Sequence, residues 1–174
     1  ITYNGGTETS GDGLAVVGDG TNTASYTPSA TTTGDGTITV DTTTINFTGL
    51  EPVDMTGMAT ATVNLPGAND ILTLTNGTDF FSGGGNVAIR VSCSSGGVAI
   101  ETVAFFNNTT VLIDTTVSDG NDTIIVTSAS NAHNNANLTI NTGSGSDSVA
   151  INGNATVTGT IDISSGGSIT DGAA

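Results

Sequence analysis

Basic residues are almost missing: Lys and Arg together occur once, at Arg90, against sixteen Asp and Glu, and the net charge is −15. Such a chain is repelled by nucleic acid and by anionic membrane surfaces, which removes both as expected partners. Tryptophan is absent, and Tyr3 and Tyr26 are the two tyrosines. The stacking platforms that line a sugar-cleaving groove are therefore scarce. Cys93 is the single cysteine, so no internal disulfide can form, and a small buried side chain is its expected role. No run of 18 apolar residues occurs, so a membrane-spanning helix is not expected. The chain opens at Ile1 without a basic and apolar leader, which reads as a mature protein or an excised segment.

What fills the chain is Thr, Ser, Asn and 25 Gly. These residues favour strands, turns and local side-chain-to-backbone bonds over helix. The length, 174 residues, suits one domain, 1–174, in which 1–42 is the less regular part and reads as an insertion or hairpin.

Two columns of short alternating strands share one period. The first holds Asp70 with Leu72 and Leu74, Gly96 with Val98 and Ile100, Asp122 with Ile124 and Val126, and Asp147 with Val149 and Ile151, at spacings of 26, 26 and 25. Thr43 with Ile45 and Phe47, and Asp12 with Leu14 and Val16, extend it backward less regularly. The second holds Val63/Leu65, Val87/Ile89, Val111/Ile113, Leu138/Ile140 and Ile161/Ile163. Period-2 alternation buries one face of each strand, and a constant repeat of about 25 residues predicts equivalent strands stacked in register. The expected fold is all-β, a parallel β-helix or solenoid with turns of about 25 residues; the alternative is an antiparallel β-sandwich. A third strand per turn is hinted at by Val53/Met55 and Val103/Phe105, where GLEPV resembles AIETV. Gly36 to Phe47 reads as a hairpin in either fold.

The texture of GDGTITVDTTTINFTGLEPV and SDGNDTIIV resembles long repetitive bacterial surface proteins of the filamentous-haemagglutinin-like adhesin kind. That resemblance implies surface display, adhesion or fibre formation. GSGSDSVAI, with Gly143, Gly145, Asp147 and Val149, resembles the calcium-binding nonapeptide of RTX repeats, and SDGNDTII around Asp122 is a looser copy. The resemblance implies calcium at Asp122 and Asp147, with Asp119 adding a ligand. Here the copies lie 25 residues apart instead of in tandem. In a solenoid Asp122 and Asp147 would stack and repel, requiring a cation, a shared proton or an outward splay. The competing reading is that Asp and Asn serve as turn residues bonding local amides.

Seven Asn-x-Ser/Thr sequons, at Asn46, Asn76, Asn107, Asn108, Asn121, Asn137 and Asn154, are glycosylation candidates; Asn46 and Asn137 have the outward phase. His133 lies in SNAHNNAN, where a solvated loop is expected. No zinc, nucleophile-elbow or phosphate-loop pattern occurs, and no enzyme activity is expected. Arg90 reads as a surface residue or half of an ion pair, and Phe81 and Phe106 as an exposed pair. The sequence thus points to an extracellular structural protein of the cell surface, a building block of a fibre, filament or surface layer. Its uncapped ends, around Leu14/Val16 and Ile161/Ile163, would join head to tail or continue in a longer chain. An adhesin presenting faces or loops to a ligand, with calcium as an optional cofactor, is the second reading.

Overall fold

The computed structural model describes residues 2–4, 12–81 and 85–172. The chain is all-β, with two short 3₁₀ turns, Thr116–Ser118 and Asn131–His133. Its strands form two eight-stranded mixed sheets that share one apolar core.

In chain order, the first sheet takes β1 (Thr2–Asn4), β3 (Thr23–Pro28), β4 (Gly36–Val40), β5 (Thr43–Thr48), β7 (Thr60–Asn64), β11 (Thr110–Asp114), β13 (Asn137–Asn141) and β15 (Ile161–Ser164). The second takes β2 (Leu14–Val17), β6 (Val53–Thr56), β8 (Asp70–Thr78), β9 (Val87–Ser95), β10 (Val98–Phe106), β12 (Thr123–Val126), β14 (Ser148–Ile151) and β16 (Ser168–Asp171). Their spatial orders are β1-β5-β4-β3-β7-β11-β13-β15 and β2-β6-β10-β9-β8-β12-β14-β16.

From β10 onward the chain changes sheet at every strand, and each strand lies parallel to its predecessor in the same sheet except that β12 joins β8 rather than β10. Two antiparallel meanders interrupt this regime: β3-β4-β5 in the first sheet and β8-β9-β10 in the second. Because each meander reverses one strand, β4 and β9, every other strand of a sheet runs the same way.

The Asp-anchored column holds where the chain crosses regularly. Ile124 pairs with Leu72 and with Val149, and Val126 with Leu74 and Ile151. Gly96 with Val98 and Ile100 does not belong to it. Gly96 and Gly97 adopt φ of 55° and 88° and close a two-residue hairpin between Ser95 and Val98. Paired positive φ values are what the right-handed twist of such a hairpin demands, and glycine meets the demand without a Cβ clash. Asp70 and Asp122 are therefore neighbours in space at a separation of 52 residues, and the 26-residue spacing at Gly96 is coincidental.

In the second column Val111/Ile113 pairs with Leu138/Ile140 and, in turn, with Ile161/Ile163. Upstream, the partners of Val111/Ile113 are Ala61/Val63, not Val63/Leu65, and Val87/Ile89 lies in β9 of the other sheet. Thr43 with Ile45 and Phe47 is likewise in the first sheet, while Val53/Met55 pairs in parallel with both Val103/Phe105 and Leu14/Val16. The similarity of GLEPV to AIETV thus reflects a register match. The Gly36 to Phe47 hairpin is present as β4-β5, with Gly36 opposite Phe47 and Asp41 at φ 51° in its turn. Tyr26 and Phe47 stack inside the core at 5.8 Å.

Candidate functional site

Asp70, Asp122 and Asp147 stand at the starts of three adjacent parallel strands, and all are buried. Their mutual repulsion is met by hydrogen bonds from one strand start to the next. The Asp122 N–H donates to Asp147 Oδ1 at 3.1 Å, and the Asp70 N–H to Asp122 Oδ1 at 2.8 Å. The second oxygens accept hydroxyls, Asp122 from Thr115 at 2.5 Å and Asp147 from Thr142 at 2.7 Å. Each carboxylate so accepts a strand-start amide and an inward threonine, and charge-assisted bonds of this type favour the ionised form. Burial nonetheless raises the Asp122 carboxyl above its usual range, with Asp147 and Asp119 adding to the rise.

Asp70 breaks the pattern. Residues 114 and 64 are paired, so the position of Thr115 is filled by Leu65, a core residue with no hydroxyl. Among the described residues no group meets hydrogen-bond geometry with either Asp70 oxygen, although the Ser95 hydroxyl and Gly96 amide approach the carboxylate. Burial pushes its carboxyl up to about 6; the nearby Ser95 hydroxyl and Gly96 amide offset part of the rise, and Asp122 adds to it.

Asp119, the third metal candidate, is at the surface, where its carboxylate accepts the Ser144 N–H at 3.1 Å and the Ser144 hydroxyl. Among the described residues no three His, Cys, Asp or Glu side chains converge as a metal centre would require. The glycines of GSGSD serve stacking: a Cβ on Gly145 would lie 1.9 Å from the Gly120 carbonyl oxygen in the neighbouring turn. These aspartates bond amides 25 and 52 residues away in adjacent segments, not the local amides that the turn-residue reading expected.

A second polar ladder runs through the other corner. The Met58 N–H donates to Asn108 Oδ1, the Asn108 N–H to Asn135 Oδ1, and the two side-chain amides donate to the Met55 and Phe105 carbonyls. Asn108 is buried, and a glycan on it is incompatible with this packing. Asn137 has the outward phase expected of it, opposite to buried Leu138, and is half-buried while it holds Thr160 and the Thr109 carbonyl. Asn46, Asn76, Asn107, Asn121 and Asn154 are exposed. His133, expected in a solvated loop, is fully buried. Its Nδ1 accepts the Asn135 N–H at 2.9 Å, which places the ring proton on Nε2, where no acceptor meets it. Cys93 is partly buried, and burial raises its thiol to about 12, with Asp70 adding to the rise; the thiolate is disfavoured.

Phe106 is buried against Ala88 and Ala104, with Phe80 packed on the same cluster, so Phe81 alone of the expected exposed pair faces solvent. Phe80 is held by the buried carboxylate of Asp54, which accepts the Phe80 and Phe81 amides at 2.9 and 2.7 Å. Arg90 stacks over the Phe80 ring at 4.1 Å and donates to the Thr78 carbonyl and hydroxyl.

Among the described strands, β1 and β15 stand at the edges of the first sheet and β2 and β16 at those of the second. At the β15/β16 end Ile161 and Ile169 are exposed, and with Ile151 and Ile163 they border a cleft of about 430 Å³. At the opposite end Val17 on β2 is 69% exposed. Among the described residues no helix is long and apolar enough to cross a membrane. No protein-family model, curated protein or solved structure matches this chain, so neither the surface-protein class nor the nonapeptide class it resembles is identified by relatives.

Proposed function

We propose that the chain is an extracellular structural protein, a β-solenoid building block of a surface fibre, filament or surface layer, joined to its neighbours end to end. One observation carries this reading: at both ends of both sheets, the edge strands point the same way. With β4 and β9 as the reversed strands, β1 and β15 are mutually parallel, as are β2 and β16. A second copy displaced along the stacking direction can then pair its β2 with β16 and its β1 with β15 at the same time. Such a contact is heterologous and does not close, so it propagates as a filament. Unpaired amides and carbonyls at an edge template this pairing, and Ile161 and Ile169 supply apolar area that the contact removes from water.

Negative-stain electron microscopy of the concentrated protein, in excess calcium and in chelator, tests the proposal. Filaments are expected in both buffers, because Asp122 and Asp147 are already supplied with protein donors. Ile169→Lys should leave single particles. Monodisperse native protein in both buffers would assign the open edges to a longer polypeptide and remove autonomous assembly.

A further inference from the structure

The outer face of the β8-β9-β10 meander carries a groove of about 400 Å³ between Glu51 and Pro52 on one side and Phe80 on the other. Thr75, Arg90, Ser92, Glu101 and Thr102 also line it. Phe80 and Arg90 are both held by the protein. The Phe80 and Phe81 amides donate to Asp54, and Asp79 Oδ1 accepts the Gly85 and Asn86 amides. Arg90 is immobilised between Thr78 and the Phe80 ring.

The charges in this groove are unusual for the molecule. Arg90 is the one basic residue of a chain with sixteen acids, yet it forms no ion pair with a carboxylate among the described residues, its partners being the Thr78 oxygens and the Phe80 face. Two acids share the groove with it. Burial raises the Glu101 carboxyl, and the neighbouring Glu51 raises it further. Ser92 and Thr102 present hydroxyls 3.4 Å apart on the floor.

We infer that this groove is a binding site for a neutral saccharide. Arg90 and Glu101 line the same groove without forming an ion pair, and the guanidinium N–H groups not spent on Thr78 together with the carboxylate oxygens supply the donors and acceptors that sugar hydroxyls require. Pro52 and the exposed part of Phe80 offer apolar surface to the C–H face of a sugar ring. The molecule's charge selects against the other ligand classes. An anionic glycan would enter the field of a −15 chain, and a simple cation would meet the Arg90 guanidinium. This inference does not rest on end-to-end assembly and concerns a lateral face that a filament would leave open.

The test uses a feature of the sequence: one Arg gives one guanidinium Nε–H signal in a ¹⁵N-correlated NMR spectrum, a direct reporter of the groove. The intact chain is titrated with lactose, cellobiose, maltose and chitobiose, and with sialyllactose as the acidic comparison, up to about 10 mM. The expected result is a saturable shift of the Arg90 Nε–H and of the Ser92 and Thr102 amides with at least one neutral disaccharide. Affinity should fall about tenfold or more in both Glu101→Gln and Thr102→Val, with the remaining spectrum unchanged. Thr102→Val keeps every charge and a β-branched side chain, so it guards against a folding defect in the other variant. Absence of saturable shifts with all four neutral sugars overturns the inference. So does binding confined to sialyllactose, or binding that survives both substitutions.

Discussion

Two buried side chains, Asp70 and His133, hold the three polar atoms without hydrogen-bond partners among the described residues, and their effects on stability have opposite signs with pH. The Asp70 carboxyl titrates near 6 in the folded chain against about 3.9 unfolded. The native state therefore binds this proton more tightly, and Asp70 lowers stability as pH rises from about 4 to 6. His133 is shifted the other way, its pKa lowered by burial. The unfolded chain protonates first as pH falls below about 6.5, and stability drops with it. Protonation would also put a hydrogen on Nδ1, where the Asn135 amide already points. Asp70→Asn should raise urea-unfolding stability at pH 7 by about 2 kcal/mol and leave the acid-side loss due to His133 more pronounced. An unchanged pH profile would show that Asp70 is not the titrating group. His133→Asn, which keeps an acceptor for the Asn135 amide, should flatten the fall below pH 6.5; an equally steep fall would assign it to another group.

At the scale of elements, the ladders explain why polar residues can sit at the corners of an apolar stack. A buried amide whose partners lie on segments distant in sequence ties those segments together, and removing it strands those partners away from water. Asn108→Ala removes the acceptor of the Met58 amide and the donor to the Met55 carbonyl, and should cost about 3 kcal/mol. Asn121→Ala removes one bond, from the Ser146 amide, at an exposed corner, and should cost less than about 1 kcal/mol. Comparable losses in chemical denaturation would mean that the buried ladder carries no special weight.

The same elements show what was legible in the sequence. Strand phase was, because Leu72/Leu74, Ile124/Val126 and Val149 alternate strictly and their burial follows. The meanders were hidden behind a matching interval: a 52-residue separation divides evenly at Gly96, where Gly-Gly between alternating strands was itself a hairpin signal. The asparagine ladder had a weaker trace. Asn108 and Asn135, 27 residues apart, each stand two positions before a strand of the same column, which distinguishes them from the other asparagines of SNAHNNAN and buries His133 with them. Leu65 where Thr115 and Thr142 repeat was equally visible once the register was known, but the register assigned Val63/Leu65 to the wrong pair.

For the whole molecule, the proposed end-to-end association sets edge pairing against charge repulsion. Eight strands at about 4.8 Å make each sheet roughly 34 Å long, and at the β15/β16 end Ile161 and Ile169 are exposed. Two copies meeting end to end bring together charges of −15 each, and no basic patch opposes them, since Arg90 lies on the lateral face of the meander. Pairing at β2/β16 and β1/β15 gains backbone hydrogen bonds and apolar burial at short range, while repulsion acts at a distance and is screened by salt. Assembly should therefore be slow in dilute buffer and accelerate steeply as monovalent salt shortens the Debye length from about 30 Å at 0.01 M to about 8 Å at 0.15 M. Light scattering at fixed protein concentration measures this, and sodium chloride and calcium chloride matched in ionic strength separate screening from specific ion binding. Equal rates in the two salts fit a contact made by strands and isoleucines. A rate that responds to calcium alone would instead place a cation in the joint, and Asp171, which borders the β15/β16 cleft, would be the first residue to replace.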